Sequence, residues 1–367
     1  MKAVTMSDCL IIGGGIIGML TAHELSQAGM RITLIERRET GRESSWAGGG
    51  IVSPLYPWRY ADAVTALATW SQQRYPALAA ALHQESGIDP EYQRSGLLVL
   101  EVEDKTQALS WGKRHAIALH SCTADEAVSY DTGLKTGGRG GIWMPEVAQV
   151  RNPRLVKAAR LAIDHNINIL EEHEITELIS HNGKIQGVRV GTTKIESERV
   201  IICAGAWSQK LLAETAIPPA IEPVKGQMIL LKTNPGRVNR ILLHNQRYLI
   251  PRLDGRVLVG STLEHKGFDK TTTTETQKEL RQFACDHYPA LADAPVEHHW
   301  AGLRPGSPQG IPFIGPVPGM EGLYLNAGHY RNGVVLGPAS ARLMADLVLQ
   351  REPILDPAPY ALDAARE

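Results

Sequence analysis

Along this chain, short apolar runs closed by glycine, proline or a charge alternate with longer stretches whose polar residues recur at helical spacing. Cys9–Ile12 is wholly apolar and predicts a buried strand. Ile16–Ala28 predicts a buried helix that stops at Gly29, and Ile32–Ile35 a second strand closed by Glu36. Ala61–Gln84 has an amphipathic helical pattern, and Asn152-Pro153 reads as the N-cap and first residue of a helix running to about Asn166. "ITELISHNGKIQGVRV" predicts a hairpin turning at Asn182-Gly183, and "RVIICAGAWS" a buried strand entering a glycine turn. "GQMILLK", "RYLIPR" and "RVLVGST" predict short strands, Thr274–His287 a helix, and "VEHHWAGLRP" a further strand. Near the end, a strand over Leu323–Asn326 enters Gly328, and a helix starts near Gly333 to Leu336 and continues to about Gln350.

The opening strand, turn, helix and strand carry Gly13-x-Gly15-x-x-Gly18 at the turn, a dinucleotide-binding pattern. The first glycine permits the tight turn and the second a close approach to a pyrophosphate. The third lets helix and strand pack closely, and Ile16 and Ile17 open a helix whose free N–H groups meet the phosphates. Glu36 stands where a carboxylate bonds the hydroxyls of an adenosine ribose. It would repel a 2'-phosphate, so NADP is disfavoured despite Arg37 and Arg38, and NAD and FAD remain. An NAD domain would continue into a second mononucleotide half. Here "GRESSWAGGGIVSP" follows instead, with its own cluster Gly48, Gly49 and Gly50.

A chain of 367 residues suggests about two domains. Its 43% hydrophobic and 21% charged content is globular, and the net charge of -1 gives no electrostatic case for nucleic acid or an acidic membrane surface. Cys9, Cys122, Cys203 and Cys285 have neither zinc-ligand nor disulfide-framework spacing, so a reducing cytoplasm is the expected location. "EHH" at Glu297 to His299 alternates along a strand, and no metal is expected. The apolar run Leu10–Leu20 after Lys2 has some look of a signal peptide, but glycines interrupt it and no cleavage pattern closes it. No run is long enough to predict a membrane span.

The glycine fingerprint, "SSWAGGGI", "VIICAGAWS", "AGLRP" and "LYLNAGHYRNGVVLGPAS" together resemble the D-amino acid oxidase family of FAD enzymes, in the family's order and over nearly the whole length. The resemblance implies an α/β protein. A discontinuous FAD-binding Rossmann-like domain would span 1–85, 145–220 and 305–367, and a substrate domain on a mixed or antiparallel sheet 86–144 and 221–304. It implies that Ser45, Ala47, Gly48, Gly49 and Gly50, with Ile175, Ala204, Gly205 and Trp207, join Gly13, Gly15, Gly18, Glu36 and Arg37 in holding FAD. At the flavin end it adds His329, Arg331, Asn332, Gly333, Val334 and Val335, where a helix start can face the N1 and C2 carbonyl region. The family's flavinylated branch uses a cysteine in the segment that here reads "SPQGIPFIGP", so the FAD is expected to be noncovalent.

The resemblance further implies that Arg304 grips a substrate carboxylate through two parallel N–H bonds, that Tyr248 supplies a phenol to it, and that Arg331 stands near flavin and substrate. Met228 and Ile51 could wall the pocket. His329 is not expected as a base, because the family removes the Cα hydrogen as hydride. The implied reaction is oxidation of glycine, with sarcosine and small D-amino acids, by dioxygen. A dehydrogenase handing electrons to a quinone or partner subunit is the alternative. Expected partners are the amino acid and dioxygen, with a homo-oligomer as the assembly.

Overall fold

Two sheets dominate the computed structural model, which describes residues 7–366. Lys2 and the outermost residues of the expected segments 1–85 and 305–367 lie outside the described residues. The first sheet has six strands, in spatial order Phe313–Pro316, Leu323–Ala327, Val200–Ile202, Cys9–Ile12, Ile32–Ile35 and Asn168–Leu170. Its strands are parallel except Phe313–Pro316, which pairs antiparallel with Leu323–Ala327. Apart from Thr33 and Asn326, the four central strands are apolar, as suits a sheet covered on both faces. Helix Ile16–Gln27 lies in a cluster with Asp62–Ser86, Asn152–Ile163 and Gly333–Val348. Its Met19, Ala22 and Leu25 are fully buried, which explains a sequence apolar around most of its circumference.

The second sheet has eight strands, ordered Val296–Gly306, Glu222–Leu231, Val257–Gly260, Arg247–Pro251, Ile241–His244, Leu97–Leu100, Gly141–Met144 and His120–Cys122. Only the pairing of Ile241–His244 with Leu97–Leu100 is parallel, so the sheet is mixed. Helix Thr274–His287, as predicted, packs on one face through Leu280, Phe283 and Ala284. The hairpin Ile175–His181 and Lys184–Val190 turns at Asn182 and Gly183, both with positive φ (51° and 72°), and Thr193–Glu196 extends it. Ile51–Val52, Ala148–Gln149 and Gln93–Arg94 form a small third sheet.

One local expectation is corrected. Asn152 is not the N-cap of its helix: Arg151 occupies that place, and Asn152 is the first helical residue, fully buried. Its Nδ2 donates to Ser45 O at 2.7 Å, so the side chain ties down a distant loop rather than its own helix. The helix also ends sooner than expected, at Ile163.

Candidate active site

Four turns meet at the carboxyl ends of the parallel strands, the usual ligand position of an open α/β sheet. The first is the glycine fingerprint. Gly13 has φ of +112°, and a Cβ there would approach Cys203 O to 2.5 Å. At Gly18 a Cβ would overlap Gly13 O, so this glycine serves helix-on-strand packing. Gly15 caps helix Ile16–Gln27 in an extended conformation, and Ser45 Oγ accepts from Ile16 N at 2.9 Å. Glu36 closes the second strand and accepts from Gly14 N at 2.7 Å and Arg38 N at 3.1 Å. Burial raises its carboxyl pKa, and those two N–H bonds oppose the rise. Arg37 lies over the Trp207 ring, 3.7 Å from its centroid, and pairs with Glu43 at 2.9 Å. It is therefore already engaged and does not stand as a free cation for a 2'-phosphate.

The second turn is the short helix Ser44–Ala47 with the loop Gly48–Gly50. Three side chains hold its carbonyls: Asn152 at Ser45 O, Trp300 at Ala47 O (3.1 Å) and Arg252 at Gly49 O (2.8 Å). A Cβ on Gly50 would overlap Val150 O, and one on Gly49 would come within 2.8 Å of Ile250 Cδ1. The third turn, Cys203–Trp207, is anchored by Cys203 N donating to Ile12 O at 2.7 Å. The fourth runs from Gly328, with φ of +84°, through His329 and Arg331 into the start of helix Gly333–Val348. Ser307 Oγ donates to Gly328 O at 2.6 Å, and Tyr75 OH donates to Val334 O at 2.9 Å.

A cavity of about 830 Å³ connects these turns to one face of the eight-stranded sheet. There Arg304, from strand Val296–Gly306, lies over Gly226 of the neighbouring strand, where any Cβ would overlap its guanidinium nitrogens. Its Nη2 donates to Ser261 Oγ at 2.6 Å, and Nη1 to Thr262 O and Lys225 O at 3.2 and 3.3 Å. No carboxylate is among these partners. Burial holds the guanidinium pKa below its usual value; the adjacent Tyr248 opposes this, and the positive charge of Arg331 adds to it. Tyr248 points its hydroxyl at Met228 Sδ, 3.7 Å away. Arg331 lines the cavity without a hydrogen bond or ion pair among the described residues.

The wall therefore gathers Gly13, Gly15, Ile16, Ile17, Glu36 and Arg37 at one end, and Ser45, Ala47 and Gly48–Gly50 along the middle. It also takes in Ile175, Ala204, Gly205 and Trp207, then His329, Gly333 and Val334, with Arg331, Tyr248, Arg304, Met228 and Ile51 at the far end. Gly18, Asn332 and Val335 do not reach it; Val335 packs in the core and Asn332 is buried behind the wall. Sequence reading missed Arg252, Trp300 and Gly226. Strand alternation in "RYLIPR" places Tyr248, Ile250 and Arg252 on one face and would have found Arg252, whereas nothing local marks Gly226.

The residues fit a flavin dinucleotide. The cavity is large and glycine-lined. It ends at one side in a helix N-terminus with an acidic strand end, and at the other in an arginine free of carboxylate partners. Two buried polar atoms on its wall residues, His329 Nε2 and Asn326 Oδ1, have no partner among the described residues. Burial pushes His329 down to about 3, so its imidazole is neutral and a poor proton acceptor.

The family model described as DAO, FAD dependent oxidoreductase, matches residues 8–347. The chain belongs to this family of FAD-dependent oxidoreductases and is an FAD-dependent enzyme acting on amino acid CH–NH2 groups. It is 53% identical to a glycine oxidase of Pseudomonas aeruginosa over 96% of this chain and 97% of that one. It is 32% identical to the bifunctional protein ThiO/ThiG of Synechocystis, covering 95% of this chain and 52% of that protein. The crystal structure of glycine oxidase from Geobacillus kaustophilus superposes with a TM-score of 0.93 at 27% identity, over 98% of this chain and 99% of that one. Among the described residues no helix is long and apolar enough to cross a membrane, and no group of His, Cys, Asp and Glu could hold a metal ion.

Proposed function

We propose that the chain oxidises glycine to the imino acid, which water converts to glyoxylate and ammonia, with sarcosine and small D-amino acids as further substrates. The observation that carries this reading is Arg304: a guanidinium without a carboxylate partner, beside a phenol, in the same cavity as the dinucleotide turns. A substrate carboxylate placed there receives a charge-assisted pair and the Tyr248 hydroxyl, which orients the Cα–H bond. Gly226 and Gly260 keep the floor low, since a Cβ on Gly260 would crowd Tyr248 Cε2 at 2.9 Å, and Met228 and Ile51 limit the room for a side chain. FAD bound noncovalently along these turns would supply the hydride acceptor, with dioxygen as the final oxidant and hydrogen peroxide as its product. Neutral His329 is a poor proton acceptor, consistent with removal of the Cα hydrogen as hydride.

The test is anaerobic mixing of the yellow protein with glycine, sarcosine and D-alanine, followed by admission of air. Bleaching by glycine and stoichiometric peroxide are expected. Failure of every amino acid to bleach the flavin would overturn the reading, and bleaching without peroxide would transfer the electrons to another acceptor. Acid precipitation should leave FAD in the supernatant, and colour in the pellet would refute noncovalent binding.

A further inference from the structure

Arg252 follows strand Arg247–Pro251 and shares a face with Tyr248 and Ile250, the face on which Gly49 rests. The guanidinium is buried. Nη1 donates to Gln149 Oε1 and Val150 O, each at 2.9 Å, and Nη2 to Gly49 O at 2.8 Å. All three acceptors are neutral. The nearby carboxylates of Glu91 and Asp254 pair instead with Arg151, at 3.2 and 2.9 Å. Burial lowers the Arg252 pKa to about 10, which leaves it cationic at neutral pH.

A buried cation held only by carbonyl dipoles is weakly screened, and its field reaches into the adjoining cavity. It also acts through a bond. Gly49 O belongs to the peptide whose N–H is that of Gly50, and donation to the oxygen polarises the peptide and strengthens that N–H as a donor. Neither Gly49 N nor Gly50 N has a partner among the described residues, and both residues line the cavity.

We propose that Arg252 is a positioning residue that, through the Gly49–Gly50 peptide and by a charge that no carboxylate bonds directly, makes the bound flavin a stronger electron acceptor. Reduction adds negative charge to the flavin, so a fixed positive charge and an aligned donor favour the reduced state over the oxidised one. The inference rests on the flavin lying along this loop, and not on which amino acid is oxidised.

The experiment is potentiometry of the FAD-loaded protein against a reference dye, with FAD affinity measured in parallel. Gln149→Glu sets a carboxylate against Nη1 in a side chain of the same shape, and Ser95 Oγ, now 3.0 Å from Gln149 Nε2, can turn to donate to it. Arg252→Met removes the charge, and Arg252→Lys keeps it while giving up the fork. A shift of tenfold or more in the reduction equilibrium is expected for Gln149→Glu and Arg252→Met, a fall of about 30 mV or more in the two-electron midpoint. Arg252→Lys should keep most of the wild-type potential. If Arg252→Met does not retain FAD, Gln149→Glu decides alone. An unchanged potential in Gln149→Glu, whatever happens to FAD affinity or melting temperature, would reduce Arg252 to scaffolding and overturn the inference. None of these readings requires glycine to be oxidised, so they stand or fall apart from the proposed substrate.

Discussion

The two ends of the cavity are built in different ways. At the dinucleotide end, the main chain forms the wall: a glycine turn, a helix start, and Glu36 bonded to Gly14 N, all within residues 9–36. At the substrate end, side chains from separate strands converge. Arg304, Tyr248, Met228 and the space over Gly226 come from three strands of the eight-stranded sheet. The first end binds through groups that every residue carries and needs side chains to be absent. The second needs particular side chains and a floor of glycine to admit them. On the proposed reading, a phosphate chain meets backbone and helix dipole, and a small zwitterion meets a fork and a phenol.

This contrast breaks if Arg304 also serves the cofactor. Arg304→Lys keeps the charge and loses the planar fork. The expected outcome is a fall in kcat/KM for glycine of roughly 30 to several thousand-fold, about 2 to 5 kcal/mol, with FAD content unchanged. Flavin reduction rates and absorbance, read on the same samples, check both halves. Equal loss of glycine and of an amine without a carboxylate would mean that Arg304 is not the carboxylate grip. At the other end, Gly18→Ala places a Cβ against Gly13 O, a backbone atom that cannot swing aside. A destabilisation of about 3 kcal/mol is expected, with FAD lost on purification. Denaturant midpoints of the apoprotein separate the fold from the ligand; wild-type stability and FAD content would show that this packing is dispensable.

Smaller effects sharpen the comparison. Glu36→Gln retains an acceptor but not its charge, and FAD affinity should fall by roughly 10-fold, or up to 100-fold for Glu36→Arg, from charged hydrogen bonds worth about 1.5 to 3 kcal/mol. Titration of apoprotein with FAD measures it, and an unaltered Kd would confine Glu36 to holding Gly14 and Arg38. The smallest effect lies away from both ends. His287 is buried, donates from Nδ1 to Phe283 O at 2.8 Å, and meets His244 Nδ1 through Nε2 at 2.9 Å. Burial lowers its pKa in the folded state, so the unfolded chain binds the proton more readily. Its contribution to stability is therefore complete above the unfolded value near 6.5 and diminishes as pH falls below it, by at most about 1.4 kcal/mol per pH unit. His287→Phe should flatten the dependence of the denaturant midpoint on pH between 7 and 5 while leaving the potential of the flavin alone. An identical pH slope in the variant would assign the proton uptake to another group.

Residues 9–36 could be read directly because their interactions are local: the strand, turn, helix and strand there matched expectation to within a residue at the helix end. Helix Thr274–His287 and the Asn182-Gly183 turn were legible for the same reason, since capping and turn chemistry act over a few residues. Asn152 shows where local reasoning stops. Its residue type and following proline suit an N-cap, yet its amide is used by Ser45 O, more than a hundred positions away in the chain. Arg252, Trp300 and Gly226 are cases of the same kind. Strand alternation places Arg252 on the face of Tyr248, but its acceptor Gly49 O, the Ala47 O that Trp300 bonds and the register that sets Gly226 beneath Arg304 are long-range, and no short-range signal encodes them. Sequence specified the elements and the residue types that a dinucleotide and a carboxylate require. The tertiary fold decided which buried groups face one another, because burial turns an ordinary arginine or asparagine into a group that must find a partner, and only long-range packing determines which partner is within reach.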